Sequence, residues 1–178
     1  DSFSDGGKFN NITSALKHTE DLLNNGATII DIGAQSTKPD SQKITAKEEI
    51  ERLGTTISTI KREFPEALIS LDTFYGEVVN FGYNEGIDIV NDISAGQFDN
   101  NLLPTVAKHQ LPYILMHIND SYENMHQRIE HKDIIIEINT FFSKKIIDLN
   151  YLGIYDIILD PGFGFGKTIA DQIKMVDE

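Results

Sequence analysis

The stretch IILDPGFGFGKT, residues 157–168, gives the clearest indication of the fold. A short apolar run ends in Asp160, and a proline and three glycines follow it. Such an ending is typical of a buried parallel strand that surfaces at its carboxyl end. Four other runs share this apolar character and end in polar residues: ATIIDIG (27–33), ALISLDT (67–73), IDIVNDI (87–93) and LPYILMH (111–117).

Segments with helical spacing of apolar residues separate these runs. Residues 45–63 open on Thr45 and Glu48, which have the spacing of a capping box. Weaker helical patterns cover residues 12–25, 75–85, 100–109 and 129–150. Regular alternation of strands and helices predicts an α/β fold with a parallel sheet, in one domain over residues 1–178.

The polar strand ends favour a (β/α)8 barrel over a doubly wound sheet. No G-x-G-x-x-G motif follows the first strand, which counts against a dinucleotide-binding fold. Functional side chains of a barrel gather at the carboxyl ends of many strands. Every predicted strand has a polar residue there: Asp31, Asp72, Asn91 with Asp92, His117 and Asp160. A barrel takes about 250 residues, so we expect the chain to lack the first strand and the last one or two βα units.

Composition narrows the possible functions. The chain has 178 residues, a formal net charge of −13 and no cysteine. The negative charge argues against a nucleic-acid or membrane-surface partner, and thiolate catalysis and disulfides are excluded. No apolar run is long enough to span a bilayer. These features favour a cytoplasmic protein with small-molecule substrates.

Five motifs in order carry a family resemblance: DSFSDGG (1–7), DIGAQSTKP (31–39), SLDT (70–73) with VNDI (90–93), LMH (115–117) and LDPGFGFGK (159–167). Together they resemble the dihydropteroate synthase family of pterin-binding barrels. The resemblance implies a transferase of folate biosynthesis that joins 4-aminobenzoate to a hydroxymethyl-dihydropterin diphosphate and releases diphosphate. It also implies Mg²⁺ as cofactor, inhibition by sulfonamides and a homodimer.

The resemblance also implies roles for individual residues. The pterin-binding residues are expected to be Asp72, Asn91, Ile93, Met116, Asp160 and Gly164. The aminobenzoate and diphosphate are expected to contact Phe3, Ser36, Thr37, Lys38, Pro39 and Phe165. Catalytic roles are expected for Asp5, Asp72, Asp160 and Lys38. The family's Mg²⁺-associated asparagine is expected before Asp1, so we assign no metal ligand within the sequence.

Two residue patterns leave alternatives open. A carboxylate such as Asp160 can accept two adjacent N–H groups of a pterin, but Asp-Pro-Gly is also a common turn sequence. Lys167 resembles a loop lysine of the family, and a solvated surface charge is equally compatible with its position.

Lys38 stands where the family usually has arginine, so it lacks the bidentate fork. Residues 33–35 read Gly-Ala-Gln in place of the more usual Gly-Gly-Glu.

Two other functions share the pterin cradle. One is a methyltransferase domain that passes a methyl group from a reduced folate to a corrinoid. The other is a non-catalytic pterin-binding paralogue that has lost its anion site. The tail IADQIKMVDE (169–178) resembles the family's final helix, so we also expect a join near residues 168–169 where two strands have dropped out.

Overall fold

The computed structural model describes residues 12–38, 41–119 and 121–177, and helices and strands alternate along these ranges. The strands are β1 (Ile29–Gly33), β2 (Leu68–Asp72), β3 (Ile89–Asp92), β4 (Tyr113–Met116) and β5 (Ile157–Asp160). The helices are α1 (Ile12–Asn24), α2 (Ala46–Leu53), α3 (Thr56–Glu63), α4 (Gly76–Glu85), α5 (Leu102–His109), α6 (Ile134–Tyr151) and α7 (Ile169–Asp177). No helix in these ranges is both long enough and apolar enough to cross a bilayer.

The described strands form one parallel sheet in the order β1-β2-β3-β4-β5. Each strand pairs with the one before it in the chain, so the winding never reverses direction. A doubly wound sheet would change direction at a switch point. The sequential order is that of a (β/α)8 barrel, which confirms the fold expected from the sequence.

The two faces of the sheet have different partners. Residues that point outward, such as Ile69, Leu71, Val90 and Leu115, are fully buried in one core with the helices. The side chains that alternate with them point to the inner, concave face. The outer face therefore fixes the helices, and the inner face is left to present functional groups.

A second hydrophobic cluster lies where the strands end. Its buried members are Phe74, Ile93, Met116, Ile118, Tyr122 and Met125. Most of these residues follow a strand directly or belong to the segment after β4. We call this group the apical cluster; it supports the loops at the carboxyl edge of the sheet.

The helical pattern over residues 45–63 is two helices, and the prediction of a single one is wrong. Gly54 ends α2 with a backbone φ of 50°, and its N–H donates to the carbonyl of Ile50. This φ favours glycine, which breaks the apolar periodicity into two short helices. The capping box is confirmed, since Thr45 and Glu48 exchange both hydrogen bonds at the start of α2.

The expected join near residues 168–169 is also wrong. Thr168 caps α7 by exchanging hydrogen bonds with Asp171, so the glycine-rich turn leads straight into this helix. Helix α7 packs against α6, and the Lys174 ammonium lies 3.0 Å from a carboxylate oxygen of Asp133. Local capping and this packing show α7 as the helix that belongs after β5.

Candidate functional site

A row of polar side chains lines the inner face at the carboxyl edge of the sheet. Alternation along each strand places Asp31, Asp72, Asn91 and Asp160 on this face. The register aligns Asp72 with Asn91, and it aligns Met116 with Asp160. The structure therefore brings together side chains on separate strands that the sequence analysis expected to bind a pterin.

Gly33 makes room for the Asp72 carboxylate. The two residues are register partners on β1 and β2. A Cβ atom at position 33 would lie 3.0 Å from Asp72 Cβ and 3.2 Å from Asp72 Oδ2. A side chain at this position would therefore push against the carboxylate, and the glycine leaves it free to face the concavity.

The carboxylates of the row repel one another. Burial raises the pKa of Asp72 well above its usual value, and the charges of Asp31, Glu49 and Asp92 raise it further. Asp31 is open to the concavity, but neighbouring strands desolvate it and raise its pKa, against hydrogen bonds from Ser70 and Asn91. A ligand that donates N–H groups would relieve this repulsion.

Asn91 and Asp92 are neighbours in the sequence, but their side chains lie on opposite faces of the sheet. The Asn91 amide faces inward, with Nδ2 3.3 Å from Asp31 Oδ2. Asp92 faces the helices and is fully buried. Its carboxylate accepts hydrogen bonds from the Tyr113 hydroxyl (2.6 Å) and from the backbone N–H groups of Ser94 and Gly96 (2.7 Å each). Asp92 holds the turn after β3 and is not open to a ligand.

Asp160 has a structural contact in addition to its place in the row. Its Oδ1 accepts a hydrogen bond from the Gly162 backbone N–H at 2.8 Å, which is the geometry of an Asx turn. Gly162 has a φ of 69°, and a side chain there would collide with the His117 carbonyl. The turn and the ligand role are thus compatible, because one carboxylate oxygen remains for a ligand.

Lys167 organises the glycine-rich turn from inside. The side chain is buried, and its ammonium donates to the carbonyl oxygens of Gly162 (2.9 Å), Phe165 (3.1 Å) and His117 (3.4 Å). Burial lowers the pKa of the ammonium to about 8. The alternative of a solvated surface charge is wrong, since Lys167 is buried and its ammonium contacts backbone carbonyls of the turn.

The hydrophobic residues expected to contact the pterin form part of the apical cluster. Met116 and Ile93 are both buried there. Met116 lies on the inner face, and a Cβ at Gly162 would be 3.2 Å from its Cγ atom. Gly164 is exposed, and a Cβ atom added to it would meet no other described residue within 4 Å beyond its chain neighbours. Met116 is thus placed as an apolar floor beside the carboxylate row, and Gly164 leaves open space.

The loop after β1 carries Ser36, Thr37 and Lys38, and hydrogen bonds fix it. The Tyr122 hydroxyl donates to the Ser36 carbonyl at 3.0 Å. The Gln35 side chain donates to the same carbonyl at 2.8 Å and accepts from the Ile44 N–H at 2.8 Å. Gln35, which departs from the family pattern, therefore closes this loop on itself.

Lys43 anchors the same loop through a different interaction. Its ammonium nitrogen lies 4.8 to 5.8 Å from the ring centroids of Phe74, Tyr75, Phe98 and Tyr122. A cation at this distance from an aromatic face is attracted by the ring quadrupole. We call these four rings the Lys43 cage. Three of them also make edge contacts with one another, so the cage belongs to a packed aromatic cluster.

His126 joins the two loops expected to bind the aminobenzoate. Its Nε2 lies 2.6 Å from the Thr37 carbonyl, and its ring stacks on Phe165 with centroids 5.3 Å apart. A cavity of about 220 Å³ opens beside this contact, lined by Lys38, Ser41, Lys43, Tyr122, Glu123, Met125 and His126. No carboxylate of the row is among the residues that line this cavity.

Some expected site residues have no described structure. Phe3, Asp5 and Pro39 lie outside the described residues. Within those residues, no group of three or more His, Cys, Asp or Glu side chains is arranged to hold a metal ion. The contribution of Tyr122, His126 and Lys43 was missed by sequence reasoning, since they lie in polar segments without a motif.

Comparison with known proteins gives a consistent result. The family described as "Pterin binding enzyme" matches residues 1–178. The dihydropteroate synthase of Synechocystis sp. is 39% identical over 178 residues, which cover 99% of this chain and 61% of that protein. The alignment is about as long as this chain itself. It therefore leaves no room for two βα units of the Synechocystis protein that this chain would lack before α7.

Solved structures of dihydropteroate synthases also match this chain. The Yersinia pestis dihydropteroate synthase in a complex with a sulfonamide drug superposes with a TM-score of 0.92 at 36% identity, covering 99% of this chain and 64% of that one. The Xanthomonas albilineans dihydropteroate synthase with 4-aminobenzoic acid gives a TM-score of 0.85 at 30% identity, covering 99% and 62%. The chain spans about three fifths of the length of these proteins.

Proposed function

Because the chain belongs to the pterin binding enzyme family, we propose that the whole protein catalyses the dihydropteroate synthase reaction. In this reaction 4-aminobenzoate displaces diphosphate from 6-hydroxymethyl-7,8-dihydropterin diphosphate. A C–N bond forms at the pterin methylene, the C–O bond to diphosphate breaks, and the amine loses a proton. The products are dihydropteroate and diphosphate, as folate biosynthesis requires.

One observation carries this proposal: the row of Asp72, Asn91 and Asp160 on the inner face, beside the apolar Met116. A pterin presents adjacent N–H donors and a carbonyl along one edge, and flat apolar faces above and below. Carboxylates accept paired N–H groups in strong charge-assisted hydrogen bonds, and an amide addresses a donor and an acceptor together. The row and its apolar floor match both features of this ligand.

The same residues suit the proposed chemistry. Asp160 has one carboxylate oxygen left for the pterin N–H groups, since the other accepts from Gly162. Asp72 faces the concavity and would stabilise the positive charge that develops on the pterin as diphosphate leaves. Ser36, Thr37 and Lys38 would bind the anionic groups with hydroxyl, backbone and ammonium donors. The hydrogen bonds that fix their loop make such a site pre-organised.

The proposal includes Mg²⁺, a homodimer and a cytoplasmic location. The described residues contain no cluster fit to hold a metal, so we derive no step through Mg²⁺, which would supply charge stabilisation to the leaving diphosphate. The dimer and the compartment follow from the family resemblance and the composition. Asp5 keeps its proposed catalytic role near the pterin, and Phe3 and Pro39 keep theirs in binding the aminobenzoate and diphosphate.

The loops favour the synthase over a pterin-binding methyltransferase. A methyltransferase needs the pterin cradle but has no use for the hydroxyls and ammonium of Ser36, Thr37 and Lys38. In this chain their loop is held by Tyr122, Gln35 and a caged lysine. A non-catalytic paralogue would keep the cradle, and it is distinguished by the absence of turnover.

The test is diphosphate release by the full-length protein with both substrates and Mg²⁺. We expect turnover that requires 4-aminobenzoate and is blocked by a sulfonamide. Asp72→Asn should lower kcat more than pterin affinity, because a stabiliser of developing charge acts mainly in the transition state. Asp156→Asn is the matched control, since this aspartate is exposed before the amino end of β5. Pterin binding without any turnover would identify a non-catalytic paralogue and overturn the proposal.

A further inference from the structure

Glu49 on α2 is a buried acid whose carboxylate is not hydrogen-bonded within the described ranges. None of its surface is exposed to solvent. Both carboxylate oxygens are inaccessible, and neither has a hydrogen-bond partner among the described residues. Buried carboxylates are normally paired or strongly hydrogen-bonded, because an isolated buried charge is costly. A helix that packs only for stability would place an apolar side chain here.

Glu49 lies behind the carboxyl end of β2. It is close enough to Asp72 for the two charges to repel each other and raise the pKa of Asp72. It also lies near the hydroxyl of Thr73, which is the next residue along the chain and is almost fully buried. The Thr73 N–H donates to the Asn91 carbonyl at 3.0 Å, which ties this point to β3. Glu49 therefore packs against the backbone that carries the pterin row.

The charged and titratable groups facing Glu49 do not neutralise it by direct contact. Arg52, one turn along the same helix, donates to the Ala34 carbonyl at 3.2 Å. Tyr75, at the start of α4, donates its hydroxyl to the Ile44 carbonyl at 2.7 Å. Asp72, on β2, carries the same sign of charge. Burial accordingly raises the pKa of Glu49 to about 7, against smaller effects of Thr73 and Arg52.

We propose that Glu49 is a positioning residue of the pterin site: held as a neutral acid behind β2, it lets Asp72 alone carry the negative charge. This inference builds on the proposed function, because Asp72 needs its charge to accept pterin N–H groups. A neutral carboxyl fills the space behind β2 without opposing the charge of Asp72. Asp72 is only half-buried and faces the concavity, so it is the carboxyl of the two that water or a ligand can stabilise as an anion. An ionised Glu49 would set a second, fully buried anion behind it.

Ionisation of Glu49 should make pterin affinity depend on pH. As the pH rises through about 7, Glu49 loses its proton. The new charge repels Asp72 and favours the protonated form of Asp72, which is a poorer acceptor. This effect lowers pterin affinity above that pH, and it opposes the gain that ionisation of Asp72, whose own pKa is raised by burial, gives as the pH rises. If ionisation of Glu49 raises the pKa of Asp72 by one unit, pterin binding should weaken by at most about tenfold.

The experiment is calorimetric titration of the full-length protein with 6-hydroxymethyl-7,8-dihydropterin diphosphate, about one pH unit below and above that value. We compare the unchanged protein with Glu49→Gln and Glu49→Ala. Glutamine cannot ionise and keeps the shape, so we expect high affinity without the loss at the higher pH. Alanine should weaken binding at both pH values. Glu48→Gln is the matched control, because Glu48 is the exposed capping residue next in the chain.

Each outcome of these titrations either supports the inference about Glu49 or overturns it. An unchanged pH dependence in Glu49→Gln, or full affinity in Glu49→Ala, would overturn the inference while leaving the proposed function intact. An unchanged protein that binds no pterin at either pH would overturn the proposed function itself. If the variants do not fold, carbon-13 NMR titration of glutamate carboxyls in the unchanged protein replaces them. A Glu49 resonance that titrates near the usual glutamate value would contradict the proposal.

Discussion

Asp160 combines a turn contact with a place in the inner row of polar side chains. Its Oδ1 accepts from the Gly162 N–H, and the carboxylate also lies in the inner row. Asp160→Asn should keep the turn, because the amide oxygen can stay toward Gly162. Its NH₂ group then faces the ligand's own donors. An unmet hydrogen bond of this kind costs about 1–3 kcal/mol, so we expect pterin affinity to fall about tenfold or more.

Two measurements on the same sample check this expectation. The melting temperature of Asp160→Asn should stay close to that of the unchanged protein, while titration calorimetry shows the loss of affinity. Asp160→Ala removes the turn acceptor too, and it should lower both quantities. If Asp160→Asn melted earlier but bound pterin with full affinity, Asp160 would be a turn residue only.

At the scale of elements, the loop between β1 and α2 is held by Lys43. The ammonium sits among four aromatic rings of the apical cluster and its neighbours. Lys43→Met should free this loop, since cation–π attraction at an accessible site contributes about 0.5–1 kcal/mol. We expect sulfonamide and 4-aminobenzoate binding to weaken about two- to fivefold, with pterin affinity unchanged. Titration of each ligand measures these effects.

Two variants serve as controls for the loop. Lys43→Arg keeps a cation for the rings and should bind as the unchanged protein does. Lys47→Met removes an exposed lysine of α2 whose ammonium is 3.9 Å from Glu51, outside the cage. Hydrogen exchange of residues 35–44 reads the loop without any ligand. Equal exchange in Lys43→Met and the unchanged protein would show that the cage does not hold the loop.

The sequence predicted elements best where one local pattern decides them. Five apolar runs with polar ends correspond to the five described strands, because buried parallel strands have a continuous apolar signature. The break at Gly54 was missed, since apolar spacing continues across a glycine whose φ is visible only in the structure. The helix after Thr168 was also misplaced. Residues 169–178 resemble the family's final helix, and this resemblance was given more weight than the cap that Thr168 forms with Asp171.

At the scale of the whole molecule, sequential strand order could be predicted, and side-chain direction followed from it. Period-two alternation puts Asp72 and Asn91 on one face and sends Asp92 to the other. The contacts made by residues 122–126 could not be predicted. Tyr122 and His126 reach Ser36 and Thr37 across more than eighty residues of sequence. Such contacts depend on packing at a shared edge of the sheet, and no local pattern encodes them.

The burial of Lys167 and Glu49 also lay beyond sequence reasoning. Charged residues in polar surroundings are mostly solvated, so composition favours exposed positions for both. Their true environments arise only when the glycine-rich turn folds over Lys167 and α2 packs behind β2. Both residues lie next to the inner row, so the site depends on titratable side chains that the fold has taken out of water.

We propose above all that the inner row at the carboxyl edge of the sheet binds a pterin. A crystal structure of the full-length protein with 6-hydroxymethyl-7,8-dihydropterin diphosphate tests it most directly. We predict that the pterin ring lies over Met116, with its N–H groups within hydrogen-bonding distance of the Asp72 and Asp160 carboxylates and of the Asn91 amide. A pterin bound elsewhere, with water or protein groups satisfying those three side chains, would contradict the claim.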